Sequence, residues 1–310
     1  MIRTINYSIS ADENGKTIYN YLKERYFCTK MITHLKHTDN SVLLNGIPVF
    51  LNTALSANDN LTIVYSEDDE SMNIVPVALT FKIVYEDEDI MVIDKPADMP
   101  VHPAINNFDN TLANGIAYYF TQKGERFVFR CINRLDRNTS GLLIIAKHRL
   151  SASILSDFMK KREIHREYLA LASGIFEEKE GTIDLPIGRV SDSIIERFVD
   201  FENGERAITH YKVIREYDNC SLLKITLDTG RTHQIRVHMS YIGHPLLGDT
   251  MYNKGTIPSY QESSLYLDRS DAHQAITRQA LHSHKIEFIH PITLKKMCFV
   301  SEPQFLQKSI

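Results

Sequence analysis

Between Cys131 and Lys147 the chain reads CINRLDRNTSGLLIIAK, and the one acid in it, Asp136, stands between Arg134 and Arg137. An arginine close to a carboxylate favours its charged form, which suits a nucleophile or an electrostatic partner and not a general acid. A glycosidase would want a second carboxylate about 5–10 Å away, and this stretch offers none. Two readings stay open from these residues alone. One is a structural Asp–Arg pair at the start of a strand. The other is an acid in a basic cleft, working on an electron-poor carbon of a phosphate-bearing substrate.

Other chemistries find less support. There is no G-x-x-x-x-G-K-[ST] phosphate loop and no G-x-G-x-x-G dinucleotide turn, which argues against nucleotide cofactors. His233 and His238 are five residues apart, so a helix or a strand puts them on different faces. His282 and His284 share a strand face but have no third ligand nearby in sequence, so no metal is expected. The serine of TSG lacks the G-x-S-x-G surroundings of a serine hydrolase. Cys28, Cys131, Cys220 and Cys298 are far apart with no Cys-x-x-Cys pair, a pattern of buried thiols in a reducing compartment.

The elements that must position Asp136 can be read from periodicity. GLLIIAK is a short continuous apolar run, a buried strand directly after the acid. FKIVYEDEDIMVIDKP reads as two strands around an acidic turn, leading into the proline-rich loop KPADMPVHP. TLANGIAYYFTQKG is a predicted helix with Asp109 or Asn110 as cap and Gly124 as stop. SASILSDFMKKR is a second helix, with a basic end at Lys160, Lys161 and Arg162. YLALASG and SLLKITLDTG are strands. In THQIRVHMSYIGHP, Ile235, Met239 and Ile242 recur at helical spacing, Thr232 is the predicted cap, and Gly243 with Pro245 ends the helix. Arg236 lies in its first turn, one step off the apolar stripe. Upstream, TIYNYLKERY is helical, SVLLNGIPVFLN is a hairpin around Asn-Gly, and NDNLTIVY is another strand. Strands and helices mix without a steady repeat, so the expected class is α+β.

The chain has 310 residues, 43% hydrophobic and 24% charged, the mixture of a soluble globular protein with one large domain or a large and a small one. No apolar run approaches the roughly 18 residues that span a bilayer, and MIRTINYSIS lacks the plan of a signal peptide, so a cytoplasmic location is expected. Net charge is −4, yet residues 67–89 hold eight acids against the single base Lys82. The rest of the chain is therefore net positive, and the acidic string SEDDESMN marks the expected boundary between domains 1–70 and 71–310.

Four motifs in order, KPADMPVHP, NRLDRNTSGLLIIAK, REYLALASG and LDTGRTHQIRVHMSYIGHPLLGD, closely resemble the RluA-type family of RNA pseudouridine synthases over residues 80–300. The resemblance is to its RluD-like subgroup, which acts on large-subunit ribosomal RNA. It implies a central mixed, largely antiparallel sheet flanked by helices, RNA as partner, and no cofactor or metal. It also implies roles: Asp136 as the catalytic aspartate, Tyr168 as the motif tyrosine, and Arg236 as the base that holds the aspartate. Lys95, Arg134, Arg137 and Arg231 are then candidate RNA contacts. A transfer-RNA synthase, or an RNA-binding assembly factor with dispensable catalysis, are the alternatives. VLLNGIPV and ANDNLTI resemble the small alpha-L RNA-binding motif. Two departures stand out: Asn133 where the family often has histidine, and Asp98 where glycine is common, the latter requiring a left-handed turn that aspartate tolerates.

Overall fold

A computed structural model describes residues 2–67, 74–104, 107–191, 193, 195–253 and 276–306. Of the acidic string expected as a boundary, only Ser66 and Glu67 are among them. Glu67 is not solvated as a connector would be: it is buried, pairs with Arg130 at 3.1 Å and accepts the Arg149 amide.

The N-terminal unit runs β1 (Ile2–Ser8), α1 (Ile18–Glu24), α2 (Thr29–Lys36), β2 (Val42–Leu44), β3 (Ile47–Pro48) and β4 (Asn60–Ser66). Its sheet has the order β1-β4-β2-β3. Asn45 and Gly46 both take positive φ, as the two-residue turn between β2 and β3 requires. Thr17 caps α1 by accepting the Asn20 amide. The expected helix, hairpin and last strand are all present; β1 and α2 are additions.

The larger sheet is built from β5 (Lys82–Glu86), β6 (Ile90–Lys95), β7 (Ser140–Ala146), β8 (His165–Ser173), β9 (Glu180–Asp184), a separate hairpin β10 (Ile187–Arg189) and β11 (Arg197–Val199), then β12 (Ile208–Glu216), β13 (Cys220–Leu227), β14 (Leu281–Ile289) and β15 (Lys296–Val300). Its order is β5-β6-β7-β14-β8-β13-β12-β9, with β15 on the far half of β14. Among the described residues every pairing is antiparallel except β7 with β14, so the sheet is mixed and largely antiparallel, as expected. Helices α3 (Leu112–Gln122), α4 (Arg149–Lys160) and α5 (Gln234–Tyr241) cover it.

Two cores explain the unbroken apolar run of β7. Leu142 and Ile144 point to one face, where α4 and the N-terminal unit share a continuous core with Ile90 and Val92. Leu143 and Ile145 point to the other, packed with Met91, Ile93, Ile116 of α3 and Ile235 of α5. A strand covered on both sides loses the polar alternation of a half-exposed one. At its start, Gly141 has φ +108, and any side chain there would collide with the Ser283 backbone. The glycine of TSG is thus what lets β14 lie parallel against β7.

Two predicted caps move. The cap of α3 is Thr111, not Asp109 or Asn110, and it forms a reciprocal capping box with Asn114 inside the fold. The cap of α5 is His233, not Thr232, and its side chain makes no capping bond.

Candidate active site

Asp136 sits on the loop entering β7. The loop is closed by the Thr139 amide donating to the Asp136 carbonyl, and Gln279 and Arg278 bond Thr139 and Asn138 from the chain before β14. Asn133 braces it from below: its Oδ1 accepts the Ile144 amide at 2.9 Å and its Nδ2 donates to the Leu142 carbonyl. Asn133 is buried and continues the hydrogen bonding of β7 at the edge of the cleft that it lines.

Arg236, in the first turn of α5, donates from Nη1 to Asp136 Oδ2 at 3.2 Å. Its remaining nitrogens are taken by Asp249, with Nε to Oδ2 at 2.7 Å and Nη2 to Oδ1 at 3.0 Å. Arg236 and Asp249 are 7% and 1% exposed, while Asp136 is 22% exposed. The buried pair therefore fixes a guanidinium that presents one N–H upward to a partly accessible carboxylate. Burial opposes the charge on Arg236, but the bonds to Asp249 and the fields of Asp249 and Asp136 outweigh it and raise its pKa. Bidentate pairs of this kind add direction as well as attraction.

Tyr168 lies on β8, in register with Ile225 of β13 and Ser283 of β14. Its ring packs in the same core as Ile235, and Tyr168 lines the cleft that holds Asp136. The cleft has a volume of about 1070 Å³. Asp136, Tyr168 and Arg236 are thus brought to one cleft from three separate elements.

The four expected RNA contacts fare differently. Arg134 is exposed on the cleft wall. Arg231 lines the cleft too and pairs with Glu205. Arg137 is half-exposed and bonds Asp98 at 2.8 Å. Asp98 does adopt the left-handed conformation, φ 59, as the departure from glycine required. Lys95 is a correction: it is fully buried, and its Nζ donates to the carbonyls of Pro96, Met99 and Arg137. It ties the proline loop to the Asp136 loop and cannot meet a phosphate. Burial lowers its pKa to about 7, against the field of Asp136.

Several residues of the site carry no signal in the sequence. Asp249 closes the fourth motif but nothing in the sequence gives it a role there, and Tyr252, whose ring lies 4.9 Å from the Arg236 guanidinium carbon, follows it. Lys160, Arg162, Arg166 and Arg197 also line the cleft; the basic end of α4 is visible in the sequence, its direction is not. Among the described residues, three metal-capable side chains converge elsewhere, Asp87, Asp89 and His290. His290 bonds Asp87 at 2.8 Å, and Asp89 is held by His148 and Arg3. His238 and His282 likewise spend both ring nitrogens on protein partners.

Fold and cleft together define a sheet enzyme in which an accessible aspartate stands over a buried Arg–Asp pair, and the RNA pseudouridylate synthase family matches residues 89–241. The chain belongs to that family, and its activity is that of an RNA pseudouridine synthase. It is 38% identical to "Uncharacterized RNA pseudouridine synthase YjbO" of Bacillus subtilis, covering 95% of this chain and 98% of that one. It is 41% identical to "Ribosomal large subunit pseudouridine synthase D" of Zymomonas mobilis, covering 75% and 72%. Among solved structures it resembles "Human RNA Pseudouridylate Synthase Domain Containing 1", with TM-score 0.57, 28% identity, and 73% and 85% of the two chains covered. No described helix is long and apolar enough to cross a membrane.

Proposed function

We propose that this enzyme isomerises uridines of large-subunit ribosomal RNA, with Asp136 acting on the sugar, Arg236 aiming it and Tyr168 serving the base. The observation that carries the reading is the asymmetry of Asp136: Oδ2 is bonded to Arg236, which leaves Oδ1 for the substrate. The reaction breaks the bond from C1′ to ring N1, turns the base, and joins C1′ to ring C5, releasing the C5 proton. Oδ1 either attacks C1′ or takes the C2′ proton towards a glycal; both routes use the same anchored carboxylate. Tyr168, buried by its ring yet facing the cleft, packs against the uracil and assists removal of the C5 proton. The uridine must leave its stack to reach an acid at this depth. The large-subunit assignment rests on the names of relatives such as that of Zymomonas mobilis.

The N-terminal unit, residues 1–70, is proposed as an accessory RNA contact of the alpha-L kind. The exposed side of α2 carries Lys30, His34, Lys36 and His37 and no acid, which supports attraction to a phosphate backbone.

The test is tritium release from unmodified ribosomal and transfer RNAs labelled at uridine C5, comparing wild type with Asp136→Asn. Release from ribosomal RNA by wild type alone is expected, with a loss of at least about 10³-fold in the variant. Release from transfer RNA only would move the substrate, and tight binding with no release from either would favour an assembly factor.

A further inference from the structure

His233 takes no part in the roles given above, yet its placement is unusual. It stands just before α5 with φ 59 and ψ 16, a left-handed conformation that a non-glycine residue adopts only when its surroundings hold it there. Its carbonyl accepts the Val237 amide at 2.9 Å as a cap does, but its side chain makes no capping bond. Its ring is turned the other way, 9% exposed, and lies between Tyr252 and Asp136.

The ring's neighbours favour one tautomer. Tyr252 Oη accepts the Arg197 amide at 2.9 Å, and the same oxygen lies 2.7 Å from His233 Nδ1. Nε2 faces a carboxylate, which can only accept, so we assign the ring proton to Nε2 and let Nδ1 accept from the Tyr252 hydroxyl, whose oxygen already takes the amide. Nε2 lies 3.9 Å from Asp136 Oδ2, the oxygen that Arg236 also holds. Two N–H groups from α5 and its cap therefore bracket one carboxylate oxygen, one bonded and one just beyond bonding reach.

We propose that His233 is a positioning residue for the reaction: as the Nε2–H tautomer set by Tyr252, it closes onto Asp136 Oδ2 when the flipped uridine enters and keeps Oδ1 aimed at the sugar. The inference deepens the reading of Asp136 given above and rests on it. Its chemistry needs a neutral ring. Protonation would place an N–H on Nδ1 against the Tyr252 hydroxyl proton and undo the arrangement. The groups facing the ring are Asp136 from the β7 loop, Arg236 of α5, Asp249 and Tyr252 from the segment after α5, and Arg197 of β11. Burial lowers the His233 pKa, with Asp136 opposing and Arg236 and Arg197 adding to the fall, so the neutral ring persists below the ordinary histidine range.

The experiment measures tritium release by wild type, His233→Gln, His233→Leu and Tyr252→Phe under single-turnover and saturating conditions, from about pH 5 to 8. Loss of one hydrogen bond to a charged group predicts a fall of about 10- to 100-fold in kcat for His233→Leu at nearly unchanged KM. Gln offers an amide N–H near the place of Nε2 and is expected to recover most of the rate while losing the acid limb of the pH profile. Tyr252→Phe is expected to lower kcat as well, by less than the Leu variant, because the ring remains but its tautomer is no longer set. Overturning results are a His233→Leu enzyme within twofold of wild type, a loss confined to KM, or a Gln variant no better than Leu. Should the Leu variant unfold by its melting curve, the contrast between Gln, Phe and wild type decides alone. Failure of the underlying reading is separate: it appears as absent release by wild type, or as unimpaired release by Asp136→Asn.

Discussion

Arg236 and Lys95 lie under the floor of the cleft with their donors committed to Asp249, Asp136 and three backbone carbonyls. Arg134, Arg137 and Arg231 stand on or near its rim, exposed or half-exposed, and the two that pair do so with exposed acids. The same residue types do different work in the two regions. Below, a cation sets where a loop or a carboxylate sits, and removing it leaves a buried partner uncompensated. Above, a cation adds to a field that solvent and salt screen. The cleft thus separates geometry from attraction, and mutations can address them one at a time.

Arg236→Met is the strongest test of this separation. It leaves Asp249 as a buried carboxylate without its fork, which costs about 3–5 kcal/mol, and it removes the aim of Asp136. Both a lowered urea midpoint and near-complete loss of turnover are expected; a variant as stable as wild type would break the division. Lys95→Met comes next. Three carbonyls lose their donor, so a loss of about 2–4 kcal/mol is expected in chemical denaturation, with turnover falling as the Asp136 loop loosens. Its pH dependence sharpens the point. With a folded pKa of about 7 and an ordinary value of 10.5, the native state binds fewer protons than the unfolded chain across that window, so wild-type stability gains with rising pH there. The Met variant is expected to lack that gain.

On the rim, Arg134→Ala and Arg231→Ala should leave the melting temperature within a degree or two and weaken RNA binding several-fold each. The slope of log affinity against log salt is expected to fall by about 0.7–0.9 for each phosphate that is no longer neutralised. A rim variant that loses kcat at saturating RNA without losing affinity would place that residue in the floor's class. The smallest effect is expected for Asp98→Gly. Relief of the left-handed conformation and loss of the exposed bond to Arg137 oppose each other, each about 1 kcal/mol or less, so the midpoint should move little in either direction.

The floor and the rim are not equally legible in the sequence. Asp136, Tyr168 and Arg236 stand out from their motifs, and the run LLII reveals a doubly covered strand because burial on both faces erases alternation. The α5 helix follows from Ile235 and Met239 at helical spacing. Its cap does not, because Thr232 satisfies the statistical preference while the backbone turns one residue later, at a left-handed His233 whose ring meets Tyr252. Lys95 reads as a rim cation since a lysine beside proline-rich loop sequence carries no mark of burial; what buries it is the meeting of two loops about forty residues apart. Asp249 is silent for the same reason, as its meaning is supplied by Arg236. Strand β1 and helix α2 escape notice through their mixed polarity.

Ser283 is in register with Gly141 of β7 on one side and with Tyr168 of β8 on the other. Among the described residues, the two strands that carry Asp136 and Tyr168 to the cleft are therefore linked in the sheet through a third, made about 110 to 140 residues later in the chain. During synthesis the early part of the protein can gather its N-terminal unit and the β5–β7 meander, while the ladder that sets the Asp136 loop in register with Tyr168 is completed when β14 has emerged between its neighbours. The last register of the cleft is thus set by a late strand, and a nascent chain released before it holds Asp136 without the ladder that fixes its loop beside Tyr168.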